Sequence, residues 1–319
     1  MPRALASILT IAVYLALAAL GALLSSRRAV RERGIPWLDG AQTAVLFFII
    51  LALGVRLGAD GEVFSSLGMI GLSAFVIAVL AMAGSVLGVT LVRRFVLRLD
   101  RFASASREGE ERSGDAPQGG GRLTLLIAAA VLAGLALGRW VLPEAVSDRS
   151  GTAVSAGLDV MLFLVGLDLG RRGDVLKNLR AAGLKTLLIP EAVAAGSVLA
   201  GALAGLFLPF GVRGCAAAAA GMGWYSLAPG LIAPYSLRLS AAAFLANILR
   251  ELLSILLIPT IARRAGYIEC VALPGAAAAD TVLPVILRAT GRHVTVYPFV
   301  SGLICSLLVP VLVPLLIAF

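Results

Sequence analysis

Charged residues, histidine and cysteine are all scarce in this sequence. Lys, Arg, Asp and Glu together make up 14% of its 319 residues, whereas a soluble globular domain has about 25%. The single histidine, His293, argues against a zinc site. The three cysteines, Cys215, Cys270 and Cys305, lie in apolar runs and exclude a disulfide framework. These shortages exclude a soluble two-domain protein and a secreted disulfide-rich scaffold.

Apolar residues are correspondingly abundant. They account for 60% of the chain, and the mean hydropathy is +0.98. The stretch Val63–Val92 contains no charged residue, and an uncharged apolar run of about 18 residues or more is a candidate transmembrane helix. The composition therefore predicts an all-α polytopic membrane protein. We interpret eight apolar segments as spans, at 4–24, 40–57, 66–92, 123–142, 152–169, 184–208, 239–261 and 296–319.

The basic residues are concentrated in alternate loops. Loops 25–37, 93–122 and 170–185 are rich in Arg and Lys, whereas the loop after the second span carries Asp60 and Glu62 and no basic residue. Because basic loops stay on the cytoplasmic side of a membrane, this alternation places the N-terminus and, after eight spans, the C-terminus outside. The formal net charge of +9 is thereby explained by topology, and we expect no nucleic-acid partner.

A spacing of 112 residues relates two parts of the chain. Seven residues share it: Gly54, Leu57, Gly58, Gly61, Val63, Leu67 and Gly71 recur as Gly166, Leu169, Gly170, Gly173, Val175, Leu179 and Gly183. The first copy follows an outward span and the second an inward span, which predicts inverted repeats, a feature of many secondary transporters. Chance similarity in a Gly- and Leu-rich chain is the alternative. We expect a first repeat at 1–103, a flexible cytoplasmic linker at 104–121, a second repeat at 122–212 and a transport core at 213–319.

Two apolar segments, 214–236 and 268–291, are interrupted by glycine and proline. Irregular backbone at membrane depth is tolerated only where it is buried in protein or lines a cavity, and a pair of such segments indicates a transporter's binding site. We predict two re-entrant hairpins, the first entering from outside and the second from inside. Two complete crossings, giving ten spans, are the alternative. That alternative would place Arg263 and Arg264 outside, so the charge pattern favours eight.

Polar residues in the seventh span are candidate substrate- or ion-binding groups. Asn247 and Glu251 are one helical turn apart and share a face, whereas the adjacent Arg250 points about 100° away. An ionisable residue inside a membrane span is a functional candidate by default. Pairing with a neighbouring helix is the structural alternative for Arg250 and Glu251.

The first predicted hairpin carries a second group of candidates, Gly223, Trp224, Tyr225 and Ser226. At an unwound tip, free backbone N–H groups favour an anionic ligand, and an indole ring can stack on a cation. An aromatic anchor at the membrane interface is the alternative interpretation.

Three aspartates complete the candidate set. Asp280 lies in the second hairpin, Asp168 ends the fifth span, and Asp60 ends the second span on the outer side. Each is a candidate proton carrier. For Asp60 the alternative is a solvated loop, and for Asp168 it is a helix-end charge near Arg171. The sequence predicts neither a cofactor nor a bound metal.

Longer motifs in the same regions resemble the LysO family of bacterial lysine exporters. The resemblance is carried by GMGWYSLAPG at 221–230 and AAAFLANILRELLSILLIPTIAR at 241–263. It extends to ADTVLPVILRATG at 279–291, SGLICSLLVPVLVPLL at 301–316 and LFLVGLDLG at 162–170. The resemblance implies an eight-span inner-membrane protein, with both termini outside, that exports L-lysine and toxic lysine analogues.

The resemblance also implies that membrane acids take part in transport. The glutamate of the family's R-E-L block is Glu251 here, and the family's aspartate at the outer end of span two is matched best by Asp60, with Glu62 as the alternative. One departure stands out. The family has Asn-Asp before this block, whereas this chain has Ala246 and Asn247, so one acid is missing from the expected cavity face.

We therefore expect a secondary active exporter of L-lysine or a related cationic amino acid. The chain has no G-x-x-x-x-G-K-[ST] motif for ATP, so export would draw on an ion gradient, most simply by proton antiport. An exporter of another small amino acid or metabolite is one alternative, and a non-transporting membrane sensor is another. An enzyme is not expected. The expected partners are the substrate, protons and membrane lipid, and a homodimer is left open.

Overall fold

A computed structural model describes residues 2–26, 35–98, 119–142, 144–171, 184–291 and 294–318. All regular structure in these ranges is helical. Thirteen α-helices occur there in chain order: α1 (Pro2–Ser26), α2 (Leu38–Ala59), α3 (Gly61–Ser65), α4 (Leu67–Leu91), α5 (Gly119–Ala136), α6 (Glu144–Arg171), α7 (Leu188–Ala204), α8 (Gly211–Ala219), α9 (Leu227–Ile232), α10 (Leu237–Arg264), α11 (Tyr267–Val271), α12 (Leu283–Thr290) and α13 (Val296–Ala318).

Six helices in the described ranges are long and apolar enough to cross a membrane. They are α2, α4, the part of α6 from Arg149 onward, α7 with its preceding turn, α10 and α13. Shorter apolar helical stretches occur at Ala12–Ser26 in α1 and at Ala129–Val141. The predicted all-α, multi-pass membrane class is thereby confirmed. Of the predicted linker, residues 104–118 lie outside the described residues, and α5 begins at Gly119.

Glycines separated by 112 residues have equivalent surroundings. Gly54 in α2 lies against the carbonyl of Val131 in α5, and Gly166 in α6 lies against the carbonyl of Ala18 in α1. Helix α5 therefore packs on α2 as α1 packs on α6. A side chain at either glycine would keep the two backbones apart, so these close crossings need glycine.

Helices α4 and α7 cross at another such pair. A Cβ atom built on Gly84 would overlap the carbonyl oxygen of Gly196, and one built on Gly196 would overlap that of Gly84. The two positions are again 112 residues apart. Each glycine therefore contacts its counterpart 112 residues away, which is the contact that a local two-fold axis at this crossing would give.

The first interrupted segment, α8 to α9, doubles back beside the beginning of α10. Gly214 in its first leg lies against the side chain of Leu239. The Ser240 hydroxyl donates to the carbonyl of Pro229 in its second leg over 2.8 Å. Leu239 and Ser240 are neighbours in the first turn of α10, so both legs lie at the same level. Neither α8 (9 residues) nor α9 (6 residues) approaches the length of a span.

The second interrupted segment, α11 to α12, lies beside the other half of α10. The Arg250 side chain donates to the backbone carbonyls of Ala272 and Leu273, which follow α11. Ile286 in α12 shares one apolar cluster with Ile258, near the C-terminal end of α10. The segment therefore approaches the middle of α10 and returns toward its end.

The turns of the two segments meet at mid-length of α10. The Ala276 N–H donates to the carbonyl of Met222 over 2.8 Å. Gly223 and Gly275 both have positive φ, at +90° and +64°. A Cβ on Gly223 would lie 2.6 Å from the Pro274 carbonyl oxygen, so glycine is needed here both for its backbone conformation and for the close approach.

Candidate functional site

A cavity of about 330 Å³ lies where these two turns meet α2, α6, α10 and α13. This volume is near the lower end of the roughly 300–1,000 Å³ that small-molecule sites occupy. Its polar lining comes from elements far apart in the chain: Asp39, Gln42, Thr43, Asp168, Trp224, Tyr225, Ser226, Glu251, Asp280, Thr281 and Ser306.

The charged residues that line the cavity are acidic. Four carboxylates line the cavity, from Asp39, Asp168, Glu251 and Asp280, and none of the described lining residues is basic. Carboxylates brought together in a partly enclosed space repel one another, and a cation relieves that repulsion. Arg171 lies beside two of these acids, Asp39 and Asp168, so the described surroundings of the cavity hold four carboxylates and one guanidinium. This net acidic balance favours a positively charged ligand.

Glu251 and Asp280 form one acid pair of the cavity, called here the inner pair because it lies beside the two turns; Glu251 is half-buried and Asp280 is exposed. Thr281 and Asp280 both lie close enough to Glu251 to interact with it electrostatically. Tyr225 lies within electrostatic reach of both acids. The Thr281 N–H donates to Asp280 Oδ1 over 2.6 Å, which orients that carboxylate. The structure thus brings together three predicted site residues from two interrupted segments and the seventh predicted span.

Asp39 and Asp168 form a second, outer pair. Arg171 Nη2 donates to Asp168 Oδ1 over 2.8 Å and lies 3.6 Å from Asp39 Oδ1. The Asp39 side chain is 79% exposed and that of Asp168 is 15% exposed, so Asp39 marks a mouth of the cavity and Asp168 lies just inside it. The sequence analysis predicted Asp168 but missed Asp39. No local pattern connects residues on α2 and α6, and only the packing of these helices makes them neighbours.

Asn247 supports the first turn and does not line the cavity. Its Oδ1 accepts from the Gly223 N–H over 2.7 Å. Its Nδ2 donates to the carbonyls of Ala218 at 3.2 Å and Ala243 at 2.7 Å. Asn247 therefore ties the turn that carries Gly223 to α10. Gly223 and Ser226 both line the cavity, although Ser226 is only 2% exposed.

Arg250 and Asp60 also lie outside the cavity lining. Arg250 is 1% exposed and binds serine hydroxyls and backbone carbonyls. Asp60 caps the short helix α3, where its Oδ1 accepts from the N–H groups of Glu62 and Val63 at 2.9 and 3.0 Å. Asp39 and Asp60 sit at opposite ends of α2, about 31 Å apart at 1.5 Å per residue, so the structure does not bring Asp60 to the other predicted acids.

Comparison with known proteins places this site in a family. A family model described as "Lysine exporter LysO" matches residues 128–317, which is more than half of the chain. The chain belongs to the lysine exporter LysO family. The matched region holds both interrupted segments and three of the four cavity acids. Asp39 precedes it. No solved structure matches the chain.

Two curated relatives agree with this family membership. The Escherichia coli K12 protein named "Lysine exporter LysO" is 34% identical over 157 residues, which is 49% of this chain and 52% of that protein. The chain thus spans about half the length of this relative. The Haemophilus influenzae protein named "Putative lysine exporter" is 29% identical over 186 residues, 57% of this chain and 92% of that protein.

Proposed function

We propose that this protein is a secondary active transporter that exports L-lysine, or a closely related cationic amino acid, across the bacterial inner membrane. The observation that carries the proposal is the net acidic cavity, which is lined by four carboxylates, two of them beside the single guanidinium of Arg171. Lysine carries two ammonium groups and one carboxylate, so it is a net cation. Membership of the lysine exporter family supports the same substrate.

The arrangement of polar groups favours a diamino acid over a simple metal cation. The inner acids Glu251 and Asp280 offer charge-assisted acceptors for one ammonium group. The hydroxyls of Tyr225, Ser226 and Thr281 offer neutral hydrogen-bond donors, which a carboxylate needs. Apolar lining residues such as Leu303 and Met161 suit the methylene chain between the charged ends.

We propose an eight-span topology with both termini outside and two re-entrant hairpins at α8–α9 and α11–α12. Each of the two segments lies beside one half of α10, and this supports hairpins. A segment that crossed the membrane completely would run along the whole length of α10. Loops 25–37 and 170–185 are basic and adjoin the ends of α2 and α6 that carry Asp39 and Asp168. Under this topology the cavity mouth faces the cytoplasm, where an exporter takes up its substrate.

We also propose that residues 1–103 and 122–212 are inverted repeats and that 213–319 form the transport core. The equivalent surroundings of Gly54 and Gly166, and the contact of Gly84 with Gly196, support this division. Repeats of opposite orientation allow one half to rock against the other around a fixed site, which opens the site to each side in turn.

Proton antiport would follow from competition at the inner acids. Two carboxylates as close as Glu251 and Asp280 favour either a bound cation or a bound proton. Lysine arriving from the cytoplasm would displace a proton, and a proton from outside would displace lysine.

Lysine efflux from a bacterium that lacks its own lysine exporter tests the proposal. We expect this protein to restore efflux and resistance to a toxic lysine analogue. Glu251→Gln keeps the size of the side chain and removes its charge, so it should reach the membrane at normal abundance and not transport. Glu191→Gln removes an exposed acid outside the cavity and is the matched control. Normal efflux by a well-expressed Glu251→Gln variant would contradict the proposed site.

A further inference from the structure

We propose that Arg250 is a positioning residue that holds Asp280 opposite Glu251 without contacting the substrate. This inference rests on the proposed function, because it assigns a role to the pair of acids that would bind lysine. Arg250 precedes Glu251 on α10. Helix α10 therefore carries Glu251 on one face. The neighbouring side chain, Arg250, holds the segment that carries Asp280.

Four of the five N–H groups of the Arg250 guanidinium donate to neutral oxygens. Nη1 donates to Ser197 Oγ over 2.8 Å, and Nη2 donates to Ser85 Oγ over 3.0 Å. Nε donates to the carbonyl of Leu273 over 2.9 Å, and Nη2 also reaches the carbonyl of Ala272 at 3.1 Å. Only 1% of Arg250 is exposed. In these described contacts, hydrogen bonds to neutral groups alone stabilise its positive charge.

The two serines occupy equivalent positions at the α4–α7 crossing. Ser85 and Ser197 are 112 residues apart, and each follows one of the glycines at the α4–α7 crossing. Each also donates its hydroxyl hydrogen to a carbonyl, Ser85 to Val193 and Ser197 to Ala219. Both oxygens are therefore oriented to accept from Arg250. The planar fork of a guanidinium, with two equivalent ends, matches this two-fold arrangement.

The carbonyls on the other side of Arg250 determine where the second turn lies. Ala272 and Leu273 directly precede Pro274 and Gly275, which contact the first turn. From there one 3₁₀ turn, Gly275–Ala279, leads to Asp280. A shift of the two held carbonyls would displace the whole turn and move Asp280 relative to Glu251.

The same geometry distinguishes a positioning role from substrate binding and from a purely structural role. Arg250 does not line the cavity, so it is not placed to bind the carboxylate of a substrate. An ordinary structural residue would affect the amount of folded protein and leave the affinity of each folded molecule unchanged. A positioning residue changes the affinity itself, since misplaced acids bind a cation less well.

Arg250→Lys tests the inference, because lysine keeps the charge but cannot fork to two serines and two carbonyls at once. Arg263→Lys is the matched control, since Arg263 lies on the same helix and is exposed. We expect Arg250→Lys to accumulate at near-normal levels and to raise the KM for lysine about tenfold, as loss of a supporting contact commonly does. Ser85→Ala combined with Ser197→Ala removes the anchors on one side of the guanidinium and should raise KM in the same direction by a smaller factor, because Arg250 still holds the two carbonyls.

A second measurement does not depend on transport. A cysteine introduced at Ala279, which lines the cavity beside Asp280, should react with an aqueous thiol reagent at a rate that Arg250→Lys changes several-fold and Arg263→Lys does not. The three native cysteines are buried and serve as a low background.

The outcomes separate the two proposals. Unchanged KM together with an unchanged labelling rate in Arg250→Lys would overturn the positioning role, and so would a loss of efflux that only follows a loss of protein. If wild-type protein moves no lysine, the proposed function fails. The labelling rates would then still decide whether Arg250 positions the second turn.

Discussion

Replacing Asn247 with aspartate should make this protein sensitive to pH in a direction that the structure fixes. The Asn247 amide accepts one hydrogen bond, from Gly223, and donates two, to Ala218 and Ala243. An ionised aspartate keeps the acceptor and loses both donors, and it brings negative charge against two carbonyl oxygens. A protonated aspartate keeps the acceptor and one donor.

The magnitude follows from these bonds. The carbonyls of Ala218 and Ala243 keep their backbone N–H donors, and a hydrogen bond contributes about 0.5–1.5 kcal/mol net. The loss of two donors should therefore cost the ionised variant about 1–3 kcal/mol, to which the repulsion between its charge and the two carbonyl oxygens adds, whereas the protonated variant should lose about half as much. Folding of Asn247→Asp therefore favours the protonated form. Its stability should be greatest at low pH and should fall as the pH rises through the titration of the new carboxyl.

Thermal unfolding of the purified protein in detergent, measured from low to high pH, checks this prediction. The unfolding temperature of Asn247→Asp should fall with rising pH relative to the wild-type protein. Asn247→Leu is similar in size and cannot titrate, so its deficit should stay constant over the same range. A deficit of Asn247→Asp that is independent of pH, or that shrinks as the pH rises, would refute the assigned hydrogen-bond pattern.

Three further predictions concern other contacts. Glu269 is fully buried and pairs with Arg93 at the end of α4, so Glu269→Gln should lower the free energy of unfolding by about 3–5 kcal/mol, and a loss below about 1 kcal/mol would contradict a buried pair. Gly84→Ala should destabilise by about 1–3 kcal/mol or more because its methyl group meets backbone, while Gly68→Ala, which meets open space, should accumulate normally; equal abundance of the two would refute the close crossing. Asp60→Asn should leave the KM for lysine unchanged in an efflux assay, since Asp60 caps a helix outside the cavity, and a tenfold rise in KM would instead place Asp60 in the transport route.

The sequence predicted the helices and the two interrupted segments well because their signals are local. An apolar run of about 20 residues specifies a membrane helix without reference to anything else. Glycine and proline interrupt such a run wherever the chain turns. The predicted spans at 40–57, 66–92 and 239–261 consequently match α2, α4 and α10 within three residues at each end.

The roles of individual polar residues were harder to predict, because helical periodicity indicates a face and not what packs against it. Asn247 and Glu251 were predicted to share a polar face, and the structure separates them. Asn247 meets the backbone of the first turn, whereas Glu251, one turn later, meets the cavity. Arg250 points to neutral oxygens brought together from three separate elements. None of these contacts leaves a pattern in the sequence near α10.

Asp39 and Asp60 show the same limit at the two ends of one helix. Both are acids beside an apolar run, and resemblance to the family favoured Asp60. Packing of α2 against α6 places Asp39 at the cavity mouth, while Asp60 caps α3. Only the arrangement of the helices distinguishes these two acids.

The central claim is that the acidic cavity binds lysine and couples its movement to that of protons. Purified protein in sealed liposomes that contain lysine, with a higher lysine concentration outside and a pH gradient imposed across the membrane, tests it most directly. We predict that an acidic exterior drives lysine out against its concentration gradient, that protons enter as lysine leaves, and that Glu251→Gln does neither. Folded wild-type protein that releases lysine at the same rate with and without the gradient, or not at all, would contradict the central claim.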